Sequence, residues 1–184
     1  MPTKWNAEDN IAWKRAVPGK GHASPVIWGD RIFLVTCLPD QKERVLMCLD
    51  RRTGKTLWQR TVFKCPLETI HRLNSRASST PATDGKLVYV TFLKVDGRTI
   101  PAPNVGSSRP ITPGTILVAA YDMNGEKKWM VEVGEFISAH GFNTCPVIYQ
   151  DLVIINGDHD GNAYIVALDR KTGKECWRVD RENK

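Results

Sequence analysis

The sequence predicts an all-β fold: a partial β-propeller of about three four-stranded antiparallel blades plus one extra N-terminal strand. Three observations carry this. A turn phrase recurs as Asp50-Arg-Arg-Thr-Gly54-Lys-Thr-Leu-Trp58, Asp122-Met-Asn-Gly125-Glu-Lys-Lys-Trp129 and Asp169-Arg-Lys-Thr-Gly173-Lys-Glu-Cys-Trp177. A second phrase, in which Pro opens a short strand that turns into a β-branched run, recurs at Ser24–Thr36, Thr80–Thr91 and Cys145–Asn156. Together the phrases make a unit of four strands, and units spaced at about 40–50 residues are the signature of propeller blades.

Taken in order, residues 10–17 (Asn10-Ile-Ala-Trp13-Lys-Arg-Ala-Val17) match only the last strand of a blade, with Trp13 in the repeated tryptophan slot. Residues 24–62 make the first blade, 79–133 the second and 144–180 the third, all within one partial propeller domain, 1–184. Two insertions interrupt the pattern. Phe63–Ala77 separates the first two blades, and residues 94–114 extend a hairpin inside the second. The latter contains Pro101, Pro103, Pro110 and Pro113 with Gly106, Ser107 and Ser108, so it is expected to be extended and irregular. Arg98 and Arg109 are its candidate anchors for a partner. A closed ring needs about four to eight blades, so this arc is expected to be open.

Each turn phrase has a physical job. Gly54, Gly125 and Gly173 supply the positive φ of a tight turn, and the side chains of Asp50, Asp122 and Asp169 can accept hydrogen bonds from turn amides. Trp58, Trp129 and Trp177 follow four residues after the glycine, just inside the next strand. An indole buries about 150–250 Å², so these rings are expected to weld neighbouring blades together.

Composition fits a β protein with a real core: 41% of residues are hydrophobic, and the longest apolar runs, such as Ile32–Val35 and Leu152–Ile155, are of strand length. No basic-then-apolar leader precedes Trp5. The net charge is +6, with Arg51-Arg52, Lys127-Lys128 and Arg170-Lys171 at one repeat position. Such a ring could attract nucleic acid, an anionic polymer or a lipid surface, yet ordinary solvated turn residues are the favoured reading. No aromatic-interleaved basic stretch points to nucleic acid, and none is expected as a partner. The five cysteines, Cys37, Cys48, Cys65, Cys145 and Cys176, include no Cys-x-x-Cys pair.

Two segments are candidates for a site. The stretches leading into the first strands bring His22, Arg76, His140 and Asn143 toward one mouth of the central channel, where they could hold an anionic or polar ligand. The same groups could instead satisfy exposed strand ends. Asn156-Gly-Asp158-His159-Asp160-Gly161 resembles the start of a calcium loop through Asp158 and Asp160. It also lies where a blade needs a hairpin, and no later carboxylate closes the loop. No catalytic residue is assigned, since no Gly-x-Ser-x-Gly elbow or other nucleophile–base pair occurs.

The Ala120/Asp122/Gly125/Trp129 and Ala167/Asp169/Thr172/Gly173/Trp177 patterns resemble the tryptophan-docking motif of pyrroloquinoline-quinone (PQQ)-type propeller repeats. Cys48 stands where alanine is usual in the first copy. Gly19-Lys-Gly-His22-Ala-Ser-Pro25 and Ser78-Ser-Thr-Pro81-Ala-Thr-Asp-Gly85 narrow the resemblance to the PQQ-like repeat proteins of planctomycete-type bacteria, with BamB as a distant relative. The resemblance implies a non-catalytic binding scaffold in the cell envelope, exported in full-length form, with no cofactor. Its partner would be a protein, or a second copy that completes the propeller. The alternative it implies is a fragment of a quinoprotein dehydrogenase using PQQ and calcium. Those enzymes carry an adjacent Cys–Cys disulfide over the quinone and a Glu–Asn–Asp set at the calcium, neither of which can be assigned in this chain.

Overall fold

The computed structural model describes residues 3–4, 6–103 and 109–181. Every regular element is a β-strand. The first blade comprises β1 (Val26–Trp28), β2 (Arg31–Leu38), β3 (Glu43–Asp50) and β4 (Thr56–Lys64), paired in chain order. In the second, β5 (Ala82–Thr83) and β6 (Leu87–Val95) are followed by a small hairpin, β7 (Ile100–Pro101) with β8 (Pro110–Ile111). The blade then closes with β9 (Gly114–Asp122) and β10 (Lys127–Phe136). The third repeats the first: β11 (Val147–Tyr149), β12 (Leu152–Gly157), β13 (Tyr164–Asp169) and β14 (Glu175–Asp180). All pairings are antiparallel. The arc is unclosed.

The middle strands read as continuous apolar runs because both faces are covered. Phe33, Val35, Leu46 and Cys48 of the first blade pack against Val88, Val90, Phe92, Leu117 and Ala119 of the second. The second blade's other face, through Tyr89, Val118, Ala120 and Trp129, meets Val153, Ile155, Val166 and Leu168 of the third. Fully burying one such side chain stabilises by roughly 1.5–3 kcal/mol, so these two layers hold the arc together.

Register explains the repeated tryptophan. Trp58 pairs with Cys48, Trp129 with Ala120 and Trp177 with Ala167, so a small side chain stands opposite each indole. In every blade the ladder also slips by one residue beside that pair. Such a bulge bends the last strand and increases its twist.

Two expectations need correction. Residues 10–17 form no strand: no neighbouring third strand offers them a ladder among the described residues. Side-chain packing holds the segment instead, with Trp13 against the first blade's outer cluster of Ile32, Val45, Met47 and Leu49. The described residues of the insertion over 94–114 are also more ordered than its composition suggests. Besides the β7–β8 pair, Thr112 and Thr69 clasp reciprocally, each hydroxyl accepting the other's amide at 2.8 and 2.9 Å. Gly106, Ser107 and Ser108 lie outside the described residues. No helix among the described residues is long and apolar enough to cross a membrane.

Candidate functional site

The mouth residues separate into two groups. A cleft of about 480 Å³ opens between the Gly19–His22 segment and the 70–76 connection, and both His22 and Arg76 line it. His140 and Asn143 do not. His140 packs its ring edge-on against His71 at 5.8 Å, and its carbonyl accepts from Asn74 Nδ2 at 2.8 Å. Asn143 is exposed on the segment leading into β11. The cleft brings in Lys20, Arg72 and Asn74 instead, which sequence reasoning did not select. The Lys20 signal was present in Gly19-Lys-Gly, between two glycines whose small size permits a close strand approach. A Cβ at Gly19 would lie 2.2 Å from the Cys37 carbonyl oxygen.

Backbone and hydroxyl contacts fix both walls. Lys20 and Cys37 exchange amide–carbonyl bonds of 2.8 and 2.9 Å. The His22 amide donates to Ser75 Oγ at 3.0 Å, and Asn74 Oδ1 accepts from the Ser75 amide and Ser78 Oγ. Arg76 Nε donates to the Glu68 carbonyl at 2.9 Å. Behind the cleft, fully buried Arg44 pairs with the Glu68 carboxylate, which lies 3.9 Å from Arg76 Nε. Burial pushes the Glu68 carboxyl above its ordinary value, against the pull of Arg44. Two guanidiniums share one carboxylate there, and Arg44 Nε and Nη1 have no hydrogen-bond partner among the described residues. A buried charge near the start of β3 was not marked out by any sequence pattern.

Asp158 and Asp160 serve the structure. Asp158 pairs with Arg181, while Asp160 accepts weakly from the Ala139 amide at 3.4 Å. Between them His159 Nδ1 accepts from the Ile137 and Gly161 amides, so the segment is a laced hairpin. Among the described residues no three His, Cys, Asp or Glu side chains gather as a metal site. The repeated basic pairs are largely neutralised: Arg51 and Arg52 meet Asp30, Lys128 meets Asp122 and Glu126, and Arg170 bridges Asp84 and Asp151. Arg109 donates to the Ala139 carbonyl and Arg98 pairs with Asp96, so both are held within the chain.

The repeated turns behave as their chemistry requires. Asp50 Oδ1 accepts from the Arg52 and Thr53 amides and the Thr53 hydroxyl; Asp169 does the same with Lys171 and Thr172. The threonine bonds hold both carboxyls below their ordinary range. Trp13, Trp58 and Trp129 each cross to the next turn. Trp13 Nε1 donates to the Arg51 carbonyl, Trp58 to that of Met123 and Trp129 to that of Arg170, at 2.9, 2.9 and 3.0 Å. Their rings lie over Gly54, Gly125 and Gly173 respectively. Among the described residues Trp177 meets no such turn; it is 39% exposed, beside Ile165 at 38% and Val179 at 57%.

This architecture coincides with that of known proteins. The family model described as outer membrane protein assembly factor BamB matches residues 3–101. The chain belongs to this family. Among curated proteins, none matches significantly. Of solved structures, the quinohemoprotein alcohol dehydrogenase ADHIIG from Pseudomonas putida HK5 aligns with TM-score 0.55 and 19% identity, covering 91% of this chain and 22% of that one. A europium-containing methanol dehydrogenase aligns at 0.57 and 14%, covering 95% and 27%. The quinohemoprotein alcohol dehydrogenase from Comamonas testosteroni aligns at 0.52 and 17%, covering 89% and 21%. The chain thus spans about a quarter of each structure's length and shares their propeller fold. The cysteines are never adjacent in the sequence, and Asp158 and Asp160 are both engaged within the chain.

Proposed function

We propose that this chain is a non-catalytic β-propeller scaffold of the cell envelope that holds protein partners through the open face of its third blade. One observation carries the reading. On β11, β13 and β14 that face presents Val147, Tyr149, Ile165, Trp177 and Val179, each between 38% and 60% exposed. The equivalent faces of the first two blades are covered by the blade that follows. Contiguous exposed apolar side chains on a sheet mark an interaction surface. Family membership supports an assembly role, and the same kinship supports export. A second copy is the simplest partner, because two open arcs together can complete a ring.

Light scattering during size-exclusion chromatography tests the surface. The wild-type chain is expected to run above its 20.7 kDa monomer mass, and Val179→Glu to return it to the monomer. A wild-type monomer would rule out self-association through this face. A dye-linked alcohol oxidation assay with added PQQ and calcium tests the catalytic alternative. Turnover above the protein-free blank would overturn the scaffold reading.

A further inference from the structure

The cleft between the Gly19–His22 segment and the 70–76 connection has a chemistry that the scaffold reading does not use. Apart from buried Cys37, every ionisable side chain lining it is Lys20, His22, Arg72 or Arg76; no Asp or Glu contributes. The Lys20 ammonium, the His22 ring and the Arg72 guanidinium engage no carboxylate or other side chain among the described residues, and only Nε of Arg76 is bonded. This contrasts with Arg51, Arg52, Lys128 and Arg170 of the repeated turns, which are matched by Asp30, Asp122 or Asp84. Beneath the cleft, the Arg44–Glu68–Arg76 cluster carries one more positive charge than negative.

We propose that this cleft binds a small polyanion whose oxyanion groups bridge the Gly19–His22 wall and the 72–76 wall. The volume, about 480 Å³, lies within the usual range for small-molecule sites. Arg72 and Arg76 bring planar forks suited to phosphate or carboxylate, and Lys20 adds a point charge from the opposite wall. The walls are set before any ligand arrives, by the Lys20–Cys37 bridge and the Ser75 Oγ bond to the His22 amide. Preorganisation of this kind lowers the ordering cost of binding. Failure of this site would leave the third-blade surface untouched, since no residue is shared.

The test is titration of the intact chain with pyrophosphate, and separately with citrate, followed by calorimetry and by amide NMR shifts at Gly19 and Gly21. One saturable site is expected for at least one probe. Lys20→Ala combined with Arg72→Ala is expected to weaken it by about tenfold or more, as losing charge-assisted hydrogen bonds would. Both side chains lack partners, so the double variant should keep the wild-type denaturation midpoint. Lys171→Ala combined with Lys174→Ala, remote from the cleft, should bind as wild type. No saturable binding of either probe overturns the proposal, as does equal weakening by the remote pair, which would reflect only the +6 charge of the chain.

Discussion

Trp58 stands where a side chain on Gly125 would have to be. An ideal Cβ on Gly125 would lie 2.8 Å from Trp58 Cδ2, while the indole Nε1 donates to the Met123 carbonyl of the same turn at 2.9 Å. The glycine therefore serves twice, taking a φ of +81° and leaving a seat for the neighbouring blade's ring.

Gly125→Ala is accordingly expected to destabilise by more than the backbone cost alone. Left-handed backbone costs an L-residue roughly 1–2 kcal/mol, and the indole must also move. Gly29 provides the comparison, since it has a positive φ of +57° but nothing within 4 Å of its Cβ position. In urea denaturation Gly29→Ala should show the backbone term only. Equal losses at the two sites would refute the seating argument.

The tryptophans should differ in the same way. Trp129 is 8% exposed and bonded to the third blade, whereas Trp177 is 39% exposed. Trp129→Ala should cost about 3–5 kcal/mol, in the range of buried aromatic truncations. For Trp177→Ala in the monomer, a loss well under half of that is expected. Thermal unfolding of both variants measures the difference.

Glu68→Gln should be strongly destabilising because it strands the Arg44 charge in the core. Breaking a buried pair from one side costs about 3–5 kcal/mol, while replacing both partners with apolar residues is often neutral. Arg44→Met combined with Glu68→Leu should therefore recover much of the loss. Chemical denaturation of the single and double variants checks this, and an additive double variant would contradict it.

His159 gives a pH dependence with a defined sign. Burial among Phe136 and Tyr164 lowers its pKa from the ordinary 6.5, despite the opposing pull of the Asn162 carbonyl and nearby carboxylates. The folded state thus binds its proton less readily than the unfolded chain does. Stability is unaffected by this residue well above pH 6.5 and falls as pH drops below that value. His159→Gln should flatten the fall that sets in below about pH 6.5 in denaturation midpoints measured against pH. An unchanged slope would place the dependence elsewhere.

Much of the fold was legible because its determinants are local. The Asp–Gly–Trp turns and the Pro-led strands state strand, turn and strand within a few residues, and β1–β4 and β11–β14 follow that reading. Residues 10–17 show the limit: their pattern is that of a last strand, but a strand exists only beside another strand. The candidate mouth was legible in part. His22 and Arg76 do share a cleft, because they lie close to the first strands. His140 turns instead to His71 and Asn74, and no spacing in the sequence announces that contact.

By itself, the sequence determined the repeat, the four-strand unit and the turn chemistry, since side-chain alternation and glycine torsions act over neighbouring residues. Tertiary structure decided the rest. It set which tryptophan finds a turn, why Arg44 can be buried opposite Glu68, and that Lys20 and Arg72 face one cleft. Each of these depends on residues tens of positions apart. Only tertiary packing, of one blade on the next and of the connecting segments on the first blade, brings such residues together over the short distances at which hydrogen bonds and buried charges act.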